Sequence, residues 1–360
     1  MSSFNFLFFG WLFASQKTRF SGFRYRFSRF PRFAQSSGRL RRPYNPCHSL
    51  KSKKLELNLF LILCFSFLLF SCTARKPDSQ NKINIVCSFF PIYDWTNSII
   101  GGLENETSLT MLEKSGIDYH KYVPSQIDFQ IITQSDLIIL NGGSSENWIF
   151  EILKNHENHA KVLNLSEVLQ NQNRLIQNDD SFDEHTWLSI KNAIICSNSI
   201  YEILCEIVPS NRQKYSDNFS LYREQLENLD STFSSLVSSS DSKVLLFADR
   251  FPFAYFAKDY SLECYSLSDN CSENFYVTQK QIDFLAQKLN KTNLNALIIL
   301  DQSTKDYARK VILQAEKPRC DIFEMDSLQT SSLRNAFNDK TYIYAMQKNL
   351  ETITKCLISK

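Results

Sequence analysis

Glycine is scarce, with 8 residues in 360. That excludes collagen-like and glycine-rich repeat designs. No Gly-x-Ser-x-Gly elbow and no Cys-x-x-Cys pair occur. Their absence removes the usual signatures of a nucleophilic hydrolase, a zinc ribbon and a thioredoxin-like site. Acid is missing from residues 1–54, which hold twelve Lys/Arg, and residues 55–72 add only Glu56. Residues 73–360 are therefore acidic, with 28 Lys/Arg against 37 Asp/Glu. An acidic working part lacks the basic balance that phosphate recognition calls for, so no nucleic-acid partner is expected.

What is present divides into a front end and a working part. Hydrophobic residues make up 43% and charged residues 22%, an ordinary globular balance. At roughly 150 residues per domain, the length suggests two domains or lobes. Residues 1–72 read as a basic N-terminal extension and a lipoprotein signal peptide. Lys51, Lys53 and Lys54 precede the apolar run LELNLFLILCFSFLLFS at 55–71. That run is short for a membrane span, which needs about 20 residues. It ends in Leu69-Phe70-Ser71-Cys72, which resembles a bacterial lipobox whose cysteine is acylated. Acylation at Cys72 would hold the protein at a membrane, and residues 73–82 would serve as a polar tether. Cys264 and Cys271 are close enough in sequence for one loop disulfide, and the other cysteines read as small buried hydrophobes.

From residue 83 the chain alternates β-rich runs with helical periodicity, the pattern of parallel βα units. KINIVCSFF and DLIIL serve as strands before the middle of the chain, and KVLLF and ALIIL after it. Residues 187–239 interrupt this rhythm, with no glycine and one proline, Pro209. Within them Tyr215, Phe219, Tyr222, Leu226, Leu229, Phe233 and Leu236 recur at spacings of three and four, one apolar stripe on a long helix. The fold class expected is α/β, with two lobes, each a parallel sheet flanked by helices, joined by a long rigid helix. Its boundaries are 83–208, 209–240 and 241–360, with the binding site in the cleft between lobes.

Five histidines are available. His48 lies in the front end, and His156 and His159 read as a solvated helix tail rather than a metal clamp. His120 and His185 each stand in a loop before a helix, the kind of place where α/β proteins bind ligands. Asp249 follows KVLLFA and Asp301 follows ALIIL, both at the C-terminal ends of strands. Two imidazoles from one lobe and two carboxylates from the other would make an N2O2 site suited to a transition-metal dication. The competing role for each aspartate is a helix N-cap.

Five segments carry a resemblance: SFFPIYDWTNSIIGG, HKYVPS, DEHTWLS, RFPFAYFAKDYSLE and LIILDQS. With the lipobox and the long helix, the chain from about residue 82 resembles the metal-binding lipoproteins of bacterial ABC transporters that import zinc or manganese, the ZnuA/TroA-like family. The resemblance implies two lobes on a rigid helix and a metal held by His120, His185 and Asp301. At the third ligand position, where that family has His or Glu, this chain carries Arg250, which cannot bind a metal. The ligand is then expected from Asp249, with Arg250 and Glu184 supporting the shell. Three protein ligands plus water are the fallback.

The implied role is capture of zinc, or less readily manganese, for delivery to an ABC permease, by an exported, lipid-anchored monomer on the periplasmic or extracellular face. No bond chemistry is required, so no enzymatic activity is expected. Neutral histidine is the ligand form, so affinity is expected to fall below about pH 6. Two rivals remain: a lipoprotein for a metal chelate or corrinoid, and a metalloenzyme using the same residues.

Overall fold

The computed structural model describes residues 82–358 apart from 115, 157–158, 179–180, 269–275, 293 and 333–339. The lipobox with Cys72, the tether before Lys82 and Cys271 lie outside the described residues. Cys264 carries a free thiol.

The β-branched and aliphatic runs form two four-stranded sheets, and every strand pairing in both is parallel. The first holds β1 (Ile83–Cys87), β2 (Thr107–Met111), β3 (Leu137–Leu140) and β4 (Lys161–Asn164) in the order β2-β1-β3-β4. The second holds β5 (Val244–Arg250), β6 (Glu263–Ser268), β7 (Ala296–Leu300) and β8 (Asp321–Met325) in the order β6-β5-β7-β8. Each order reverses direction once, between β1 and β3 and between β5 and β7. A crevice opens at such a switch point, beyond the C-terminal strand ends. Strands β3 and β7 are buried along their whole length, as central parallel strands covered on both faces should be.

Helices α1 (Phe90–Ile100), α2 (Gln126–Thr133), α3 (Asn147–Asn155), α4 (Leu165–Asn171) and α5 (Ile190–Ile207) belong to the first lobe. Helices α7 (Ala254–Tyr260), α8 (Gln279–Lys291), α9 (Asp306–Gln314) and α10 (Tyr342–Ile358) belong to the second. Between them α6 (Arg212–Ser239) runs 28 residues, roughly 42 Å at the α-helical rise. Its buried stripe is Tyr215, Phe219, Tyr222, Leu226, Leu229 and Phe233, ending on Val237, while Leu236 is only partly covered. One hydrophobic core contains this stripe together with residues of both sheets. Each fully buried Phe or Leu adds about 1.5–3 kcal/mol relative to exposure, so the stripe holds the helix against both lobes. The described residues all fall within one compact unit.

Polar ties join the lobes at specific points. Asp94 of α1 accepts from the Tyr342 amide at the start of α10 (3.1 Å). Tyr342 Oη donates to the Trp187 carbonyl (2.7 Å), and Trp187 Nε1 donates to the Ser327 carbonyl (3.0 Å). Among the described residues, no helix is long and apolar enough to cross a membrane.

Candidate metal site

The segment after β2 cannot continue as a helix through Pro124, so it forms a short 3-10 turn at Tyr119–Lys121 followed by the capped start of α2. Asp118 caps that turn, with Oδ1 accepting from the His120 amide (3.0 Å). Ser125 and Asp128 form a reciprocal capping box on α2. The Tyr119 amide donates to the Gln329 carbonyl (2.9 Å), and the Tyr119 ring packs on Phe89 and Trp187. His120 is thus fixed by both lobes.

His185 enters from the loop before α5. The Asp183 carboxylate accepts from the His185 amide (2.9 Å) and lies 2.6 Å from His185 Nδ1. A carboxylate there draws the ring proton to Nδ1, which turns Nε2 toward His120 as an acceptor. Asn141, just beyond β3, donates to the Glu184 carbonyl (2.8 Å) and accepts from Thr186 Oγ1 (2.6 Å). These bonds seat the His185 loop on the end of the first sheet.

The two rings meet with His120 Nε2 3.0 Å from His185 Nε2. His120 Nδ1 lies 2.9 Å from Ser145 Oγ. A metal bound at about 2.0–2.1 Å to two imidazoles in tetrahedral array separates the nitrogens by roughly 3.3 Å, close to what is seen. Burial, and next the charge of His185, pull His120 down from its ordinary 6.5 to about 4. This ring is therefore neutral, the ligand form, well below the pH 6 threshold expected from its sequence alone.

Glu184 stands behind the pair. Its Oε1 accepts from Ser144 Oγ and from the Ser145 amide (3.2 Å), and its Oε2 lies 3.9 Å from His120 Nδ1. Gly143 permits this approach, because a Cβ there would collide with the Glu184 side chain. Glu146 is fully buried beneath the same turn, accepting from the Gly142 amide (2.6 Å) and the Asn141 amide (3.2 Å). Burial raises its carboxyl to about 7 despite those bonds.

The carboxylates expected in the shell are held differently. Asp249 Oδ1 accepts from the Arg250 amide (2.8 Å) and Oδ2 from the Leu300 amide (3.1 Å). It bridges β5 and β7 where the β5 register shifts. Asp301 Oδ1 accepts from the amide (2.8 Å) and hydroxyl (2.9 Å) of Ser327, and Oδ2 from Thr330 Oγ1 (2.7 Å). Among the described residues, no group of three or more His, Cys, Asp or Glu side chains is gathered closely enough to hold a metal ion. The histidines meet, and the two aspartates organise strand ends and loops around them.

The loop at 326–330 holds residues that sequence reasoning passed over. Gln329, 2% exposed, brings Nε2 to 3.2 Å from His120 Nε2. Asp326 directly follows β8, the same signal that marked Asp249 and Asp301. Its Oδ1 accepts from the Leu328 amide (2.8 Å), and burial with the neighbouring Asp301 charge raises it to about 6. Arg250 reaches across the cleft, with Nη1 3.5 Å from Asp118 Oδ2 and Nε 4.0 Å from Asp249 Oδ1. His156 closes α3 at the surface, its ring against Phe129.

Residues 85–356 match the family described as zinc-uptake complex component A, periplasmic. The chain is 30% identical over 269 residues to the metal ABC transporter substrate-binding lipoprotein SloC of Streptococcus mutans, covering 71% of this chain and 85% of SloC. It is 28% identical to the manganese ABC transporter substrate-binding lipoprotein ScaA of Streptococcus gordonii, covering 85% of this chain and 99% of ScaA. Against the zinc-binding protein AdcA of Streptococcus pyogenes it is 22% identical and spans 61% of AdcA's length. Among solved structures, the periplasmic zinc binding protein TroA of Treponema pallidum superposes with a TM-score of 0.65 at 23% identity, covering 77% of this chain and 99% of TroA. The metal-dependent lipoprotein YcdH of Bacillus subtilis gives 0.67 at 21% identity, covering 77% of this chain and all of YcdH. These likenesses establish the two-lobed fold.

Proposed function

The chain belongs to the family of periplasmic zinc-uptake components A, and from that membership we propose that it captures a divalent transition metal in its cleft for import by an ABC transporter. Zinc is the favoured cargo and manganese the alternative, because two imidazoles prefer zinc while carboxylates tolerate manganese. The observation that carries the reading is the 3.0 Å approach of His120 Nε2 to His185 Nε2, with each Nδ1 already engaged by Ser145 or Asp183. Each neutral imidazole keeps one ring nitrogen able to ligate, so two rings turned Nε2 to Nε2 can both offer that nitrogen to a dication placed between them.

In this reading His120 and His185 ligate the metal, and carboxylate comes from the acidic pair of Asp301, at the end of β7, and Asp326, on the loop whose Gln329 reaches His120. Asp249 acts through the strand end it bridges. Asp183 and Glu184 hold the two imidazoles in place, as the outer partners of metal-ligating histidines do. The protein works from the outer face of the membrane, tethered through acylated Cys72, as a monomer that hands its cargo to a permease.

Metal content tests the reading. Protein purified without chelator should carry about one zinc or manganese per chain by elemental analysis, and His120→Ala and His185→Ala should each lose it. Full occupancy in both variants, or no uptake of either metal by the native protein, would overturn it.

A further inference from the structure

Resting on the metal-capture reading, we propose that the cargo is bound together with a small carboxylate-type oxyanion, which completes the metal's shell and is anchored by Arg250. The argument begins with what the cleft offers a metal. Two imidazole nitrogens face it, 3.0 Å apart. Asp249, the carboxylate next to the arginine, has each oxygen accepting a backbone amide. All three hydrogen bonds onto Asp301 come from Ser327 and Thr330 of one loop. A transition-metal dication seeks at least four donors, and the two imidazoles with one carboxylate oxygen from the Asp301–Asp326 pair make three, so one position is left to fill.

At the cleft stands a guanidinium. Arg250 extends from the end of β5 toward the first lobe, its side chain 17% exposed. Its hydrogen bond to Asp118 spans 3.5 Å, and its approach to Asp249 spans 4.0 Å. Charge-assisted pairs normally close to about 2.7–2.9 Å. Among the described residues the fork of five donors is therefore only loosely engaged, in a partly buried place where donors seek acceptors. Asp118, the acceptor of that hydrogen bond, also caps the turn that carries His120.

A bare dication facing an arginine is repelled by it. A carboxylate or carbonate between the two removes the repulsion, because one oxygen can coordinate the metal while the others accept from the planar guanidinium. Arginine at this position thus selects the metal's companion. No bond is made or broken; the oxyanion binds and leaves with the metal.

The test is a zinc-affinity titration of the purified protein in carbonate-free buffer, repeated with bicarbonate and with citrate. Native protein should bind zinc roughly 10- to 100-fold more tightly with one of the anions, the size of a charge-assisted hydrogen bond. Enhancement by bicarbonate identifies a free anion as the companion, and enhancement by citrate alone identifies a metal chelate; both support the proposal. Arg250→Gln should lose the enhancement, and Arg250→Glu should bind zinc well without any anion. Native affinity indifferent to both anions would overturn the proposal while leaving metal capture standing. So would an undiminished anion effect in Arg250→Gln. Failure to bind zinc or manganese under every condition would instead overturn the metal-capture reading itself.

Discussion

The Nε2 atoms of His120 and His185 stand 3.0 Å apart although the residues are 65 positions apart in sequence. Each ring is turned by a partner on its other nitrogen, Ser145 for His120 and Asp183 for His185. The partners therefore decide how the two nitrogens converge. Asp183→Asn should keep the fold and leave both ligands in place, yet reduce zinc affinity by about 10- to 100-fold, the usual effect of losing an outer partner. Competition against a chromophoric chelator measures it. Affinity equal to native would show that Asp183 does not orient the ring.

Gly143 supplies a steric version of the same experiment. Its backbone is an ordinary extended one, φ −84°, so alanine is not strained there by conformation. The added Cβ would strike the Glu184 side chain, which holds Ser144 and Ser145 in place behind His120. Gly143→Ala should weaken zinc binding by at least about tenfold, and Gly143→Ala with Glu184→Ala should relieve the collision without restoring the Ser145 contact. If Gly143→Ala binds zinc like the native protein, Glu184 has room to move and its support is dispensable.

Much of this arrangement was legible because it is written in local patterns. Parallel βα alternation predicted both sheets, and the spacing of Tyr215 through Phe233 predicted the long helix. Its last buried position is Val237 rather than Leu236, a slip of one residue at the end of a stripe that drifts around the helix. Helix α4 was missed because its signal is small. It runs only seven residues behind an Asn164 cap, too short for a helical periodicity to stand out. The histidine loops were legible as loops, but their convergence depends on Asn141 and on the Tyr119–Gln329 bond, which no local pattern encodes. Gln329 was invisible for the same reason, since it meets His120 across 209 positions. Asp249 is a position whose role the local pattern leaves open. A carboxylate after a strand can serve a ligand or a backbone amide equally well, and here it serves amides of β5 and β7.

Glu146 predicts a pH dependence of stability. It is a carboxyl raised from 4.5 to about 7, chiefly by burial. The folded state therefore keeps its proton in a window where the unfolded chain has released it. Stability from this group is present below about pH 4.5 and is lost as pH rises through about 7. Glu146→Gln removes the ionisation and leaves one acceptor for the Asn141 and Gly142 amides. Between pH 5 and pH 8 the native protein should lose up to roughly 3 kcal/mol more unfolding free energy than the variant. Urea denaturation at the two pH values gives the comparison. Parallel behaviour of the two proteins would place the ionisation of Glu146 outside this range.

Metal binding should stabilise the protein by mass action if the folded cleft alone holds the ion. At a free zinc concentration about 100 times Kd, the gain is about 2.7 kcal/mol, and a chelator should reverse it. For a unit of this size that corresponds to a rise in Tm of several degrees. Thermal unfolding with zinc, manganese and excess chelator tests it and ranks the two metals. A Tm unmoved by either would mean that neither binds the folded state preferentially.

The Arg174–Asp259 pair joins the lobes and makes a prediction of different form. Arg174 Nη2 lies 2.6 Å from Asp259 Oδ1, and its Nε donates to Asn192 Oδ1 (2.7 Å). Ser189 Oγ donates to the other Asp259 oxygen. The Asp259 side chain is 3% exposed while that of Arg174 is 24% exposed, so the two ends of the pair are unequal. Removing the arginine leaves a buried carboxylate without its countercharge. Removing the carboxylate leaves an arginine that can still turn toward water. Arg174→Met should therefore cost about 3–5 kcal/mol, and Asp259→Leu distinctly less. The double variant should be more stable than Arg174→Met alone, because the second change takes away the charge that the first one stranded. Urea denaturation of the three variants measures the coupling directly. Simple additivity would mean that solvent reaches Asp259 when Arg174 is gone, and that the lobes are held here by packing rather than by the ion pair.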